Sequence, residues 1–574
     1  MLQAKIKFLS FVFFVFLTAL VVRLGYWQVI KGSELSESAR MQYKSSTVVS
    51  APRGNILAAD GSFWALRGES WQIFANPKEI KDQPKIIAEK LAPFLVEDKE
   101  DGEERALLLE MIDKLTELLS KKDLVWVPLG REVDGDTKKS IEALNIKGIG
   151  FEPHEARFYP EASVAAQLLG FVGKDQEGGE IGYFGIEGYY NLALSGKSGF
   201  QGDEVDAAGT PILLGKGREV NAISGVDLTT SIDKRIQLTI STKLKEGIEK
   251  YGAKAGTIIV MEPSTGKILG MESYPSYDPR QYWEYGDSYF KNPAVSDAFE
   301  PGSVFKVLVM AAGLDAGVIE PDTKCDICAA PLKIDKYTIE TWNREYREDS
   351  TMLDVIVHSD NVGMAFVGEK LGADKLYDYL EKFGLGKPTG IDLQGEASPA
   401  LREKGTWNIV DLATTTFGQG IAVTPIQMIR AAGAIANHGV LMAPKIVEKI
   451  EGEGWEETNK GNVGQRVISA EAASEITAMM AEAASHGESK WTNLRGFKVA
   501  GKTGTAQIPI AGHYDAEKTN ASFVGFAPYD NPKFIMLVIL SEPQSSQWAS
   551  ETAAPLWYAI AKDLFPYLGI QPEG

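Results

Sequence analysis

Three short segments of the sequence combine side chains that could perform covalent chemistry together. In the first, Ser303 and Lys306 are three positions apart, so a helix would place them on one face. A neutral lysine amine beside a serine hydroxyl could remove the hydroxyl proton and create a nucleophile. Burial and a second nearby cation would both lower the pKa of the lysine toward that neutral form. The segment therefore predicts a serine nucleophile with a lysine as its base.

The spacing of this pair is weak support when it is taken alone. The same Ser-x-x-Lys spacing recurs at three other places: Ser231/Lys234, Ser264/Lys267 and Ser288/Lys291. At most one of the four matches is special, so a lone match is far more often an ordinary structural pair. The hypothesis therefore depends on the other segments.

The second segment is Ser359-Asp360-Asn361, the only Ser-x-Asn sequence in the chain. A hydroxyl and a carboxamide two positions apart on a loop could relay a proton and hold a substrate amide. Helix capping is the competing interpretation, because Ser and Asp are favoured at helix N-termini. The helical pattern of 352–357 and the apolar run 362–367 place the segment between two elements.

The third segment is Lys502-Thr503-Gly504, followed by Thr505. A lysine, two hydroxyls and a glycine on a strand would suit a carboxylate ligand that lies against a sheet edge. The region 496–503 also matches G-x-x-x-x-G-K-T, the phosphate-loop signature of nucleotide-binding proteins. That loop must open a helix, whereas a glycine and an extended pattern follow here. A phosphate-loop NTPase is therefore only a remote alternative.

The residues around these segments predict an α+β domain from 221 to 574. Two apolar runs, 256–262 and 267–272, are joined by a Pro-Ser-Thr-Gly turn and have a hairpin signature. Residues 231–250 have helical apolar spacing. Three more strands and a closing helix are predicted late in the chain: 497–500, 522–526, 534–540 and 553–564. Strands at both ends of a helical middle indicate an antiparallel sheet flanked by helices.

An uncharged apolar run occupies 8–22 near the N-terminus. As a helix it spans about 22 Å, which is shorter than the roughly 30 Å hydrocarbon core of a bilayer. Extension to Trp27 reaches about 30 Å, with Lys7 and Arg23 snorkelling toward the two interfaces. No small-residue cleavage site follows, so 1–30 is expected to be a cytoplasmic tip and an uncleaved transmembrane anchor. The basic N-terminus favours an orientation with the rest of the chain outside.

The segment 31–220 has a mixed composition and is expected to form a separate, elongated domain. Helical apolar spacing occurs at 103–122, and a short helix is expected at 162–169. The glycine-rich stretch 196–217 is consistent with loops or strand edges before a domain boundary.

Composition excludes several classes of function. The chain has 574 residues, of which 44% are hydrophobic, so it is not a disordered protein. The formal net charge of −19 makes a nucleic-acid partner a poor expectation, because phosphate neutralisation needs a basic face. The five histidines show no metal-ligand spacing, and two cysteines cannot build a four-cysteine zinc site. No metal site is expected.

In this order, the three segments resemble the motif set of penicillin-binding proteins and class A β-lactamases. With the anchor, the chain resembles a class B penicillin-binding protein, a monofunctional peptidoglycan D,D-transpeptidase. Further family-like blocks lie in the catalytic region and in 31–220, which is similar to the family's pedestal or dimerisation domain: 300–306, 417–420, 424–427, 157–160, 169–173 and 185–187. No glycosyltransferase-like domain precedes residue 220, which argues against class A.

The resemblance implies a role for each polar residue of the three segments. Ser303 is then the acylated nucleophile and Lys306 is its base. Ser359 passes a proton toward the leaving D-alanine, and Asn361 holds the backbone of the donor peptide. Lys502 supplies positive charge.

The same resemblance implies how the donor peptide is held and activated. Thr503, Gly504 and Thr505 lie near its terminal carboxylate, and the backbone N–H groups of Ser303 and Thr505 form the oxyanion hole. An amine from a neighbouring stem peptide resolves the acyl-enzyme, with weak carboxypeptidase activity alongside. β-Lactams mimic the D-Ala-D-Ala terminus and acylate Ser303. No cofactor is expected.

The resemblance also implies a setting and leaves alternatives. The expected partners are peptidoglycan stem peptides and a membrane glycosyltransferase of the cell-wall synthesis complex. The expected location is the bacterial cytoplasmic membrane, with a single span and the catalytic domain outside, periplasmic or extracellular. A β-lactamase or β-lactam sensor of the same fold is the main alternative; it would need a glutamate for the deacylating water, and neither Glu369 nor Glu396 can be assigned that role. A catalytically inactive scaffold is disfavoured by the intact motifs.

The remaining residues of interest lie after the expected catalytic helix. Cys325 and Cys328 are the only cysteines, and in an oxidising compartment a local disulfide is favoured over two free thiols. Trp342 and Tyr346 are expected to pack in their loop rather than to stack on a ligand.

Overall fold

The computed structural model describes residues 2–35, 44–96, 104–176, 178–204, 218–458, 463–510 and 513–573. The chain divides into two compact units. The first unit comprises 1–53 and 195–225, and the second comprises 54–194 and 226–574.

Strands and helices are numbered along the chain. The strands are β1 Lys44–Val49, β2 Ile56–Leu57, β3 Phe63–Ala75, β4 Val127–Val133, β5 Ile149–Phe158, β6 Phe171–Lys174, β7 Glu180–Tyr183, β8 Gly199–Glu204, β9 Arg218–Val220, β10 Asp227–Thr230, β11 Ala255–Met261, β12 Ile268–Tyr274, β13 Leu332–Ile334, β14 Tyr337–Ile339, β15 Val440–Leu441, β16 Val447–Gly452, β17 Trp455–Thr458, β18 Gln465–Arg466, β19 Ala500–Ile510, β20 His513–Ala527 and β21 Phe534–Ser541. The α-helices are α1 Leu2–Gly25, α2 Pro84–Leu91, α3 Glu104–Leu119, α4 Gly135–Ala143, α5 Ala166–Leu169, α6 Gly185–Tyr189, α7 Asn191–Leu194, α8 Lys234–Tyr251, α9 Pro293–Ser296, α10 Lys306–Asp315, α11 Met352–Val357, α12 Asn361–Leu371, α13 Ala373–Lys382, α14 Ile409–Thr415, α15 Pro425–Ala436, α16 Ala470–His486 and α17 Ala553–Tyr567.

The first unit contains the apolar N-terminal helix and a small sheet. Helix α1 continues as a π-helical turn to Ile30, and the 29 residues are long and apolar enough to cross a membrane. The Arg23 guanidinium lies 5.3 Å from the centroid of the Trp27 ring, at the end of the apolar stretch. Strands β1, β8 and β9 form an antiparallel sheet in that order. Strand β8 lies within the glycine-rich stretch 196–217, and residues 205–217 of that stretch lie outside the described residues.

In the second unit, the part before residue 195 is built on a seven-stranded sheet. Strand β3 pairs along its length with β5, and the sheet continues through β2 to β10, β16 and β17. The predicted helix at 103–122 is confirmed as α3 from Glu104 to Leu119, and residues 120–122 lie beyond its end. The predicted helix at 162–169 is shorter, because Ala162 and Ala165 adopt positive φ angles of 49° and 61° and only α5 is helical.

A buried ion pair holds two of the family-like blocks together. The Nε of Arg157, on β5, donates to Oε1 of Glu187, on α6, at 2.6 Å, and the two side chains are 6% and 0% exposed. A second guanidinium nitrogen of Arg157 donates to the carbonyl oxygen of Gly54 at 2.7 Å. These bonds satisfy charges that would otherwise be costly to bury.

The largest domain contains a five-stranded antiparallel sheet with the order β12-β11-β21-β20-β19. The predicted hairpin of 256–262 and 267–272 is confirmed as β11 and β12. The predicted late strands at 522–526 and 534–540 are confirmed within β20 and β21, whereas the strand predicted at 497–500 begins only at Ala500 and runs to Ile510.

Side chains alternate between the two faces of this sheet, as the two-residue period of a strand requires. Ile258 packs with α8 and α17, which contribute Ile240 and Trp557. The next residue, Ile259, packs on the opposite face, where α10 and α15 lie. The helices of the middle region are therefore held against one face of the sheet, and they bring the serine segment to its edge.

Candidate active site

The serine segment lies on a tight turn that leads into a buried helix. Residues Gly302–Phe305 form a 3₁₀ turn, and α10 begins at Lys306. Gly302 has a φ of +57°, in the region that favours glycine, and its N–H donates to the carbonyl oxygen of Gly418 at 3.1 Å. This hydrogen bond fixes the turn on the N-terminal side of Ser303. The helical structure expected for Ser303 and Lys306 is confirmed, as a 3₁₀ turn followed by α10.

Lys306 joins the first segment to the second. Its side chain is 0% exposed, and its Nζ donates to the carbonyl oxygen of Ser359 at 2.6 Å and to Oδ1 of Asn361 at 2.7 Å. The Nζ also lies 3.3 Å from the Ser359 hydroxyl oxygen. The amine is therefore held in place by groups of the Ser-Asp-Asn segment.

The surroundings of Lys306 favour its neutral form. Burial lowers the pKa of Lys306 to about 7, and the positive charge of Lys502 acts in the same direction. The carboxylates of Glu488 and Asp360 oppose the fall. An amine with a pKa near neutrality can accept a proton at physiological pH, as a general base must.

The helix-cap interpretation of the Ser-Asp-Asn segment is confirmed for Asp360, whereas Ser359 and Asn361 contact Lys306. Asp360 caps α12, and its carboxylate accepts a hydrogen bond from the N–H of Val362 at 2.8 Å. Ser359 has a φ of 57°, which is strained for a residue with a side chain and typical of functional sites. Asn361, the first residue of α12, donates through Nδ2 to the carbonyl oxygen of Glu340 at 2.9 Å. This bond orients the amide so that its oxygen faces Lys306.

The Lys-Thr-Gly segment lies on β19, the edge strand of the main sheet. Lys502 is 3% exposed, and burial lowers its pKa against the opposing charge of Glu488. Its Nζ donates to the Thr503 hydroxyl oxygen at 3.1 Å, and that hydroxyl in turn donates to Oε2 of Glu488 at 2.6 Å. The Thr505 hydroxyl oxygen accepts a hydrogen bond from the N–H of Ala549 at 3.0 Å.

Gly504 explains why this strand can lie against the serine turn. A Cβ atom at this position would meet Ser522 Oγ at 2.6 Å, Val304 Cγ1 at 2.9 Å and the carbonyl oxygen of Pro301 at 3.0 Å. A residue with a side chain would therefore push the strand away from Ser303. The glycine brings the first and third segments together.

Residues of the first two segments and Thr505, which directly follows the third, line one cleft of about 90 Å³. The lining residues are Gly302, Ser303, Trp342, Ser359, Asn361, Phe417, Gln419, Glu488, Thr505 and Trp548. The rings of Trp342 and Trp548 lie 5.4 Å apart between centroids, and Trp342 Nε1 donates to the carbonyl oxygen of His358 at 3.2 Å. The expectation that Trp342 only packs in its loop is therefore incomplete, because it also forms part of the cleft wall. Tyr346 packs against the core as expected.

Glu488 is a charged cleft residue that sequence reasoning missed, as it also missed Trp548. It follows α16 directly after Gly487, in a stretch that matches no motif. It enters the cleft because α16 packs beside β19, a contact that local sequence does not reveal. The two glutamates considered from sequence lie elsewhere: Glu396 accepts a hydrogen bond from the Thr389 hydroxyl at 2.6 Å, and Glu369 is an exposed residue of α12.

The Ser231/Lys234 match, one of the three other Ser-x-x-Lys pairs, has structural contacts. The Ser231 hydroxyl donates to the carbonyl oxygen of Ile268 at 2.7 Å, and Lys234 pairs with Glu161 at 2.6 Å. The phosphate-loop alternative is wrong, because β19 runs through the Lys-Thr pair to Ile510 instead of opening a helix. Cys325 and Cys328 are joined by a disulfide and are fully buried.

Comparison with known proteins agrees with this geometry. Residues 256–564 match the penicillin binding protein transpeptidase domain, and residues 48–230 match the penicillin-binding protein dimerisation domain. The chain is a class B penicillin-binding protein. Its α+β fold, with a dimerisation or pedestal domain before a transpeptidase domain, is the fold of that family.

Similar proteins extend over nearly the whole chain. This class B penicillin-binding protein is 31% identical to stage V sporulation protein D of Bacillus subtilis, over 96% of this chain and 84% of the relative. It is 28% identical to peptidoglycan D,D-transpeptidase FtsI of Escherichia coli, over 97% of this chain and 90% of the relative. The crystal structure of penicillin binding protein 2X from Streptococcus thermophilus matches with a TM-score of 0.72 and 25% identity, over 92% of this chain and 81% of that one.

Proposed function

We propose that Ser303, Lys306 and Ser359 carry out the acyl transfer of this enzyme. The chain is a serine-type peptidoglycan D,D-transpeptidase, which cross-links stem peptides and is acylated by β-lactams. The observation that carries the assignment of roles is the buried Lys306 amine, which donates to Ser359 and Asn361 and has a pKa of about 7.

In the acylation step, neutral Lys306 accepts the proton of the Ser303 hydroxyl as its oxygen attacks the carbonyl carbon of the penultimate D-alanine. The backbone N–H groups of Ser303 and Thr505 stabilise the negative charge that develops on the carbonyl oxygen. Ser359, 3.3 Å from the Lys306 amine, relays the proton to the nitrogen of the departing D-alanine. The peptide C–N bond breaks, and an ester to Ser303 remains.

The second step runs over the same groups in reverse. The amine of a neighbouring stem peptide attacks the ester carbonyl and loses a proton through Ser359 to Lys306. The Ser303 oxygen leaves and recovers its proton. Water in place of the amine gives the weak carboxypeptidase reaction. Asn361 holds the donor backbone.

The donor terminus is recognised by the Lys-Thr-Gly strand. Lys502 supplies the positive charge for the terminal carboxylate, and Thr503 and Thr505 supply hydroxyl donors, with Gly504 keeping the strand close to Ser303. The buried position of Lys502 supports this role, because electrostatic attraction is stronger away from water.

The setting is part of the same proposal. Residues 1–30 anchor the chain in the cytoplasmic membrane with a cytoplasmic tip, 31–220 form the pedestal, and 221–574 form the transpeptidase domain outside. The apolar stretch Leu2–Ile30 supports the single span. A membrane glycosyltransferase of the wall-synthesis complex would supply the glycan strands that this enzyme cross-links.

Labelling with a fluorescent penicillin tests the assignment. Wild type should form a covalent adduct on Ser303, and Ser303→Ala should form none. A label that persists in Ser303→Ala would contradict the choice of nucleophile. The rate at which the adduct is lost separates the transpeptidase from a β-lactamase, since a β-lactamase releases the label within seconds and a transpeptidase retains it.

A further inference from the structure

The carboxylate-binding part of the cleft already contains a carboxylate of the protein. The Thr503 hydroxyl, which the proposed function assigns to the terminal carboxylate of the donor, donates to Oε2 of Glu488 at 2.6 Å. The same hydroxyl accepts a hydrogen bond from Lys502, so Lys502 and Glu488 are both bonded to the Thr503 hydroxyl. Glu488 also lines the cleft with Ser303 and Thr505.

The backbone before Glu488 holds this carboxylate in place. The N–H of Gly487 donates to the carbonyl oxygen of Ala483, in the last turn of α16, at 2.9 Å. A Cβ atom at Gly487 would meet that same carbonyl oxygen at 2.4 Å and the carbonyl oxygen of Val357 at 2.8 Å. The chain therefore passes tightly between α16 and the end of α11, two residues before Ser359, and it delivers Glu488 to the cleft from a packed position.

A ligand carboxylate entering this site must share Thr503 with a like charge or displace it. Like charges that share a partly enclosed site repel each other and weaken binding of the second anion. The positive charge of Lys502 is also partly compensated, since Glu488 acts on both Lys502 and Lys306. Both effects oppose the capture of a carboxylate.

We propose that Glu488 is a specificity-determining residue whose carboxylate competes with the carboxylate of the ligand for Thr503 and Lys502. This inference rests on the proposed function of the cleft. It predicts that the enzyme reacts more slowly with carboxylate-ended donors than its lysine and hydroxyls alone would allow. Acylation by β-lactams should be slowed in the same way, because they carry a carboxylate in the corresponding place.

The test compares two thioester donors that differ only at their terminus, one a carboxylate and the other a carboxamide. Acyl-enzyme formation is followed by thiol release, with mass spectrometry of the Ser303 adduct, in wild type and Glu488→Gln. Glutamine keeps the acceptor for Thr503 and removes the charge. The measurement is made at pH 8.5, where Lys306, with a pKa of about 7, is already neutral, so the variant cannot act by freeing more base.

Glu488→Gln should raise the second-order rate constant for the carboxylate donor about tenfold, the scale of a like-charge contact in a partly solvated cleft. The rate constant for the carboxamide donor should change by less than about twofold. Glu488→Ser, which offers Thr503 a hydroxyl acceptor, should change the ratio in the same direction. Glu482→Gln is the matched control, because this glutamate lies on α16 with a side chain 53% exposed and pairs with His486; both rates should stay as in wild type.

An equal change for both donors, or a slower reaction of the carboxylate donor in Glu488→Gln and Glu488→Ser, would overturn the role of Glu488. That result would leave the transpeptidase assignment intact, because wild type would still be acylated. If neither donor formed an adduct with wild type, the proposed function would be wrong, and this inference would fail with it. The carboxamide rate also shows that each variant is folded around an active Ser303.

Discussion

At the scale of single residues, two buried lysines and a glutamate determine the electrostatics of the cleft. Lys306 and Lys502 are each almost fully buried, and each is made easier to deprotonate by that burial. Glu488 opposes the effect on both. The two amines differ in their charged neighbours, because Lys306 also faces the positive charge of Lys502, which lowers its pKa further.

The pH dependence of acylation should report Lys306. Acylation needs the neutral amine, so its rate should rise as pH increases through about 7, where Lys306 loses its proton, and then level off. Stopped-flow measurement of acylation by a neutral donor between pH 5 and 9 checks this, because such a donor does not itself titrate there. A rate that is independent of pH over this range would exclude Lys306 as the base.

Removal of the second cation should move that profile. In Lys502→Gln, Lys306 loses a positive neighbour while Glu488 and Asp360 continue to favour its charged form, so its pKa rises. The midpoint of the acylation profile with a neutral donor should shift upward by about one pH unit. Lys498→Gln is the control, because Lys498 pairs instead with Asp530 and Glu573. An unchanged or lower midpoint in Lys502→Gln would contradict the coupling of the two amines.

At the scale of elements, the fit of β19 against the serine turn depends on Gly504. In Gly504→Ala, the new methyl group would crowd Val304 and the carbonyl oxygen of Pro301, so the strand must shift by several tenths of an ångström or more. Displaced donors on the strand should lower kcat/KM for the thioester donor about a hundredfold, because small misplacements of catalytic groups are costly. Gly286→Ala is the matched control, since a Cβ there meets nothing within 4 Å. Steady-state kinetics of both variants test this, and equal activity in the two would show that the close approach is unimportant.

The sequence predicted these elements unevenly, for physical reasons. Strand and helix periodicity located β11, β12, β20, β21 and α17, because their apolar residues repeat with the spacing that burial requires. Periodicity did not predict where a helix begins when a single residue has an irregular backbone conformation. Ala165 has a positive φ, so α5 is shorter than the predicted helix. The apolar run 497–500 marks only the start of β19, because the functional part of the strand is polar; its continuation to Ile510 agrees with the extended pattern predicted after Gly504.

The candidate site was predictable in part for the same kind of reason. Ser303, Ser359 and Lys502 belong to motifs whose order along the chain is recognisable. The structure brings the first two segments to one cleft with Thr505, and Thr503 of the third segment bonds to the cleft residue Glu488. Glu488 carries no local pattern, because it reaches the cleft only through the packing of α16 beside β19. The strained backbone of Ser359 is likewise a product of the two helices that enclose it.

At the scale of the whole molecule, stability and chemistry are located in different parts of the second unit. The buried pair of Arg157 and Glu187 joins β5 to α6, and a further bond reaches Gly54. In the part of the chain that the structure describes, Arg157, Glu187 and Gly54 do not line the catalytic cleft. A change in this pair should therefore alter folding without altering the reaction of the molecules that remain folded.

Arg157→Met tests that separation. Methionine fills much of the space but leaves the Glu187 carboxylate buried without its cation, which should lower the free energy of unfolding by about 3 kcal/mol. The apparent Tm of the full chain in detergent should fall by several degrees, while the acylation rate constant per active molecule should stay within about twofold of wild type. Lys139→Met removes an exposed pair with Asp136, whose side chains are 76% and 92% exposed, and should leave Tm unchanged because surface ion pairs contribute little. If Arg157→Met lowered the acylation rate constant as strongly as it lowered Tm, the pedestal pair would be part of the catalytic apparatus, and the separation of stability from chemistry would be wrong.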